Sequence, residues 1–100
     1  MTDTSVIEKT DTKVKITRPK MWTVVFHNDD HTPMQFVVQV LTQLFGLNND
    51  DANNIMMKIH NEGKANVGIY SKDVAETKSF EVNEVAKTYG FPLKTTIDQL

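Results

Sequence analysis

Apolar residues in this 100-residue chain recur with two periods that alternate along it, and that alternation limits the fold more than any other feature. Met21-Trp22-Thr23-Val24-Val25-Phe26 is aromatic and β-branched, runs into the turn-forming Asn28-Asp29-Asp30, and reads as a strand. Helical spacing then takes over. Thr32 stands as a natural N-cap before Pro33, and Phe36, Val37, Val40, Leu41, Leu44 and Phe45 recur on one face until Gly46. Asn48 or Asn49 can cap a second helix, in which Ala52, Ile55, Met56 and Ile59 share a face, Asp50 and Asp51 favour the positive end, and Gly63 is the stop.

The period returns to that of a strand over Lys64 to Tyr70, with Gly68 marking a bulge or a close approach. Ser71 caps a third helix through about Tyr89, expected to bury Val74, Ala75, Phe80, Val85 and Ala86, with Gly90 as its terminator. Lys94 to Leu100, with Thr95, Thr96 and Ile97, suits a last strand. The order β-α-α-β-α-β predicts an α+β domain, a three-stranded antiparallel sheet covered on one face by three helices, because each amphipathic helix must bury its stripe somewhere. Residues 1–20 are rich in Thr, Lys, Asp and Glu and read as a flexible N-terminal tail before a domain at 21–100.

Composition removes several function classes. A net charge of -2 lacks the basic footprint of a nucleic-acid binder. With no cysteine there is no disulfide, thiolate zinc site or catalytic thiol. No apolar run suits a signal peptide or membrane span, so a cytoplasmic protein without membrane association is expected. Phosphate-binding glycines, a dinucleotide fingerprint and HExxH are absent, and the acidic turn lacks the glycine and distal glutamate of a calcium loop. A metal site from His27, His31, His60, Asp29 and Asp30 has suitable ligand types, but nothing in the spacing puts them on one face. Neither metal nor cofactor, and no catalysis, is expected.

His60 and Met56 are four residues apart and so share a helix face, which suits either a helix-end histidine or a site. Met34, Met56 and Met57 suit core gaps or an adaptable pocket.

The set taken together is more specific. Asn28-Asp29-Asp30-x-Thr32-Pro33-Met34-x-Phe36-Val37, then Met56-x-x-Ile59-His60-x-x-Gly63-Lys64-Ala65, then Val74-Ala75-Glu76-Thr77-Lys78 and finally Pro92-Leu93 resembles the ClpS family, the bacterial N-end rule adaptors. The resemblance implies a monomeric, non-enzymatic adaptor that binds N-degrons, proteins beginning with Leu, Phe, Tyr or Trp. It would deliver them to the N-terminal domain of a Clp-type AAA+ unfoldase, ClpA- or ClpC-like. By matching position, Asn28, Asp29 and His60 would receive the α-ammonium, and Asp30 and Thr32 would form the peptide rim. Met34, Val37, Val40, Met56, Ile59 and Leu93 would wall the pocket for the first side chain. Asp73, Glu76 and Lys78 would dock the unfoldase, and the tail would assist delivery. Two positions depart from the family pattern: Asp73 stands where Glu is usual, and His31 where an aromatic is. The same fold resembles the C-terminal domain of the ribosomal stalk protein, so a module recruiting translation factors is the competing expectation, and a metal-dependent hydrolase the enzymatic one.

Overall fold

A computed structural model describes residues 6–10, 13–17 and 19–100. The domain is built on β3 (Trp22–His27), the central strand of a sheet ordered β4-β3-β5, with β4 at Lys64–Tyr70 and β5 at Lys94–Gln99. Both neighbours are antiparallel to β3: Phe26 lies opposite Ala65 on one side and Thr95 on the other. Helices α1 (Met34–Phe45), α2 (Asn49–Glu62) and α3 (Lys72–Thr88) complete the order predicted from the pattern. Val24 and Phe26 are fully buried from the sheet side, and Val37, Val40, Leu41, Ala52, Ile59, Ala75, Val82 and Ala86 meet them from the helices. Burial of this apolar surface is the main favourable contribution to folding.

Within the segment read as a tail, β1 (Val6–Thr10) and β2 (Lys13–Thr17) pair antiparallel as a separate two-stranded sheet. Their Val, Ile and Thr content favours extended backbone. The expectation of flexibility over residues 1–20 rests in part on residues 1–5, 11, 12 and 18, which lie outside the described residues.

Local chemistry sets most element ends as expected. The Asn48 side chain accepts from the backbone N–H of Asp51 at 2.8 Å, and Gly46 and Gly63 end α1 and α2 in the left-handed conformation that glycine adopts without cost to a Cβ. The start of α1 differs. Its N-cap is Pro33, which has no side-chain cap; Thr32 stands one residue before it, with its hydroxyl donating to the Asp29 carboxylate.

The inward face of α3 is a second correction. Ala75, Ser79, Val82 and Ala86 are buried, whereas Val74 is 43% and Phe80 64% exposed. Small residues bring α3 close to the sheet, and a polar serine is tolerated because its hydroxyl meets that of Thr95 at 2.7 Å. The Asn83 amide accepts from the Thr95 N–H at 3.0 Å and donates to the Thr95 carbonyl, which occupies part of the free edge of β5.

Gly68 has φ +75° and lies where the β3–β4 register shifts between Trp22 and Val24, so it does mark a bulge. A Cβ there would run into the ring of Tyr70, which packs against the core and Phe45. Gly68→Ala therefore combines backbone strain of about 1–2 kcal/mol with displacement of the ring. We expect a total loss of about 1–3 kcal/mol, read as a lower midpoint in urea unfolding with an unchanged slope.

Candidate functional site

The turn Asn28-Asp29-Asp30 leaves β3 at the end where α2 finishes, and one backbone hydrogen bond joins the two. The Asn28 N–H donates to the carbonyl of Gly63, the C-cap of α2, at 2.8 Å. His60, in the last turn of α2, is thereby brought to the acidic turn, from which it is separated by about thirty residues of chain.

Asp29 organises the turn. One carboxylate oxygen accepts from the Thr32 hydroxyl at 2.7 Å and the other from the His31 N–H at 3.2 Å. The Thr32 hydrogen bond is the largest influence on this carboxyl; it outweighs partial desolvation and, with the His31 contacts, holds the carboxyl below its ordinary range. A carboxylate has lone pairs beyond the two used here, so it can still accept from a ligand. Asn28 and His60 are exposed and Asp29 half-buried, so the polar groups stand at an opening rather than in the interior.

Beneath that opening is a cavity of about 190 Å³. Asn28, Asp29, Asp30, Thr32 and His60 line its polar side, and Met34, Val37, Met56, Ile59 and Leu93 its apolar side. The periodicity of two helices explains the wall: Met34 and Val37 are one turn apart on α1, as are Met56, Ile59 and His60 on α2. Val40 does not line the cavity; one further turn along α1 it is 3% exposed and packed in the core. His27 is an additional lining residue, its Nε2 2.8 Å from the Thr96 hydroxyl. Its place immediately before the acidic turn was the available signal. Among the described residues no group of three His, Asp or Glu side chains could hold a metal ion, and no helix is long and apolar enough to cross a membrane.

Asp73, Glu76 and Lys78 lie elsewhere, on the first turns of α3. Asp73 and Glu76 are exposed. The Lys78 ammonium donates to the Leu44 carbonyl at 2.7 Å and sits 5.7 Å from the centre of the Phe45 ring. It thus satisfies a carbonyl at the negative end of α1 and fastens α3 to it.

Fold and cavity together define a small α+β binding domain, with helices on one side of an antiparallel sheet and an apolar cavity with a polar mouth at one end. The family model for the ATP-dependent Clp protease adaptor protein ClpS matches residues 17–96. A ClpS adapter from Desulforapulum autotrophicum is 44% identical over 99% of this chain and 97% of its own length, and one from Vibrio atlanticus 45% identical over 95% and 88%. The structure of Agrobacterium tumefaciens ClpS2 bound to L-phenylalaninamide superposes with a TM-score of 0.80 at 40% identity, covering 83% of this chain and all of that one. The chain belongs to the ClpS family of Clp protease adaptors.

The geometry of Asp29 makes one direct prediction. Thr32→Val removes the hydroxyl and keeps the shape, so the Asp29 carboxyl should titrate at higher pH than in the parent, as followed by its side-chain carbon shift in NMR. The sign follows from stabilisation of the charged form. Because the parent carboxyl is depressed on folding, its contribution to stability is present above the unfolded pKa and is lost as pH falls through the folded one.

Proposed function

We propose that this chain binds the free N-terminus of proteins beginning with Leu, Phe, Tyr or Trp and presents them, without catalysis of its own, to a ClpA- or ClpC-like AAA+ unfoldase. The observation that carries the reading is a cavity that combines acceptors at its mouth with apolar walls behind. A protein N-terminus is an ammonium with three donors, followed within one residue by a side chain. Asn28 and His60 would accept from the ammonium, Asp29 would supply charge, and Asp30 and Thr32 would hold the start of the peptide backbone. The first side chain would enter between Met34, Val37, Met56, Ile59 and Leu93, with Val40 supporting that wall from the core. Phenylalaninamide, the ligand of the Agrobacterium relative, has this combination of a free amine and an apolar side chain.

Both halves of the site are required by the magnitudes. Burying a Leu or Phe side chain contributes about 1.5–3 kcal/mol, and each hydrogen bond to a charged group about 1.5–3 kcal/mol. Neither alone gives a useful affinity after the cost of association. Asp73 and Glu76, with Lys78 anchoring the start of α3, would form the face that meets the unfoldase. The adaptor would act as a monomer in the cytoplasm, with the segment before Met21 assisting delivery.

A panel of peptides differing only in the first residue and its acetylation tests the reading by fluorescence anisotropy. Leu-, Phe-, Tyr- and Trp-initiated peptides should bind, and acetylation should weaken each by at least roughly a hundredfold, since it removes the charge and two donors. Equal binding of acetylated peptides overturns the assignment. Met34, which is 43% exposed at the cavity wall, would exclude branching at Cβ, so Met34→Ala should admit Ile and Val. Continued rejection of both, with normal Leu binding, removes that role.

The pH dependence of Asp29 has a definite sign. Its carboxyl is held below the ordinary carboxylate range, so the charge it supplies to the ammonium persists near neutrality and is lost only as pH falls below that range. His60→Gln keeps an acceptor at the mouth and His60→Ala removes it, so peptide affinity at neutral pH should fall more in the second, and equal affinities in the two remove His60 from the acceptors.

A further inference from the structure

Phe80 is 64% exposed on α3, a helix whose opposite face carries the buried Ala75, Ser79, Val82 and Ala86. Residues four apart are neighbours on a helix surface, so Phe80 lies directly between Glu76 and Glu84, with Asp73 one turn beyond Glu76. All three acids are exposed. An isolated exposed apolar residue needs no explanation, but an aromatic flanked along the helix by carboxylates on both sides has the composition of an interface centre and its rim.

We propose that Phe80 is the apolar anchor of the unfoldase-docking face, which extends from Asp73 along α3 to Glu84. The inference rests on the docking reading above and adds its centre, its length and the chemistry of its partner. The occupant is a protein surface with an apolar seat for one ring and Lys or Arg side chains around it. Charge complementarity calls for cations beside Phe80, where Glu76 and Glu84 are its neighbours along the helix, while Lys72 and Lys87 stand at the two ends of the same strip. An arginine is especially suited, because its guanidinium can lie over the Phe80 ring while donating to Glu76 or Glu84. A second copy of this face would oppose acids with acids. The face is also separate from the degron cavity, none of whose lining residues lies on α3, so both surfaces can be occupied together.

The test uses the full chain and intact unfoldase, with affinity read by biolayer interferometry and Leu-peptide affinity read in parallel. Phe80→Ser should weaken unfoldase binding at least tenfold and leave peptide affinity within twofold, and Glu84→Lys should weaken the unfoldase likewise. Unchanged unfoldase affinity in Phe80→Ser and Glu84→Lys, with a clear loss in Glu76→Lys, overturns this proposal and leaves docking at the start of α3. No loss in any of the three overturns the docking reading itself. A concentration-dependent dimer of the parent, abolished by Phe80→Ser at unchanged unfoldase affinity, assigns the face to a second copy and also overturns it. Glu84→Lys changes an exposed charge only, so a destabilised Phe80 variant would not remove the test.

Discussion

The site depends on one hydrogen bond, from the Asn28 N–H to the Gly63 carbonyl. It follows directly on the β3–β4 ladder, in which His27 lies opposite Lys64, and so carries the pairing one step beyond the sheet. Two turns meet there that have different causes. One is shaped by Asp29 and its partners, the other by Gly63 in the left-handed conformation at the end of α2. Joining them fixes the end of α2 against the acidic turn, and with it the relation of His60 to Asn28 and Asp29. Both sides of the bond are backbone, so the Asn28 side chain takes no part in it.

The same side chains shape the molecule and supply its charge. Asp29 closes its own turn through Thr32 and His31, and those contacts hold its carboxyl below the ordinary range, so turn geometry and negative charge at the cavity come from one carboxylate. Lys78 likewise satisfies the Leu44 carbonyl near the end of α1 and packs over Phe45, which meets Phe26 of the central strand. A lysine read as a docking residue is therefore also a tie between α3 and the helix that carries Met34 and Val37.

From Met21 onward, element types and order were legible because each has a local cause: a period of two or 3.6, an Asn48 or Ser71 cap, a glycine stop; the pairing of β1 with β2 was not read from the polar segment before it. The cavity wall was legible only through the resemblance, since nothing in the spacing within either α1 or α2 shows that the two helices converge. Two failures share a physical origin. Thr32 has the residue type of a helix cap, but the helix starts one residue later, at the Pro33 N-cap, and the Thr32 hydroxyl is turned back to the carboxylate of Asp29. Val74 and Phe80 have the residue type of a core, but the helix face that fits the sheet is the one bearing Ala75, Ser79, Val82 and Ala86. In both cases a tertiary or short-range partner decides, and residue type alone does not record it. Val40 follows the same logic at smaller scale, being apolar and on the right helix yet one turn too deep.

The close approach of α3 has a consequence for how functions are distributed over the fold. Small residues at the contact let α3 lie near β5, where Ser79 and Asn83 satisfy Thr95 through side chain and backbone. With its inner face committed to Ala75, Ser79, Val82 and Ala86, the helix carries Val74 and Phe80 outward, and Phe80 lies between Glu76 and Glu84. α1 and α2 are arranged the other way, with Met34, Val37, Met56 and Ile59 turned toward a cavity. The three helices therefore offer two kinds of surface, a concave apolar one with a polar mouth and a convex acidic one with an aromatic at its centre. An adaptor needs such a division, because a ligand and a delivery partner can be held at the same time only if neither contact uses the other's residues.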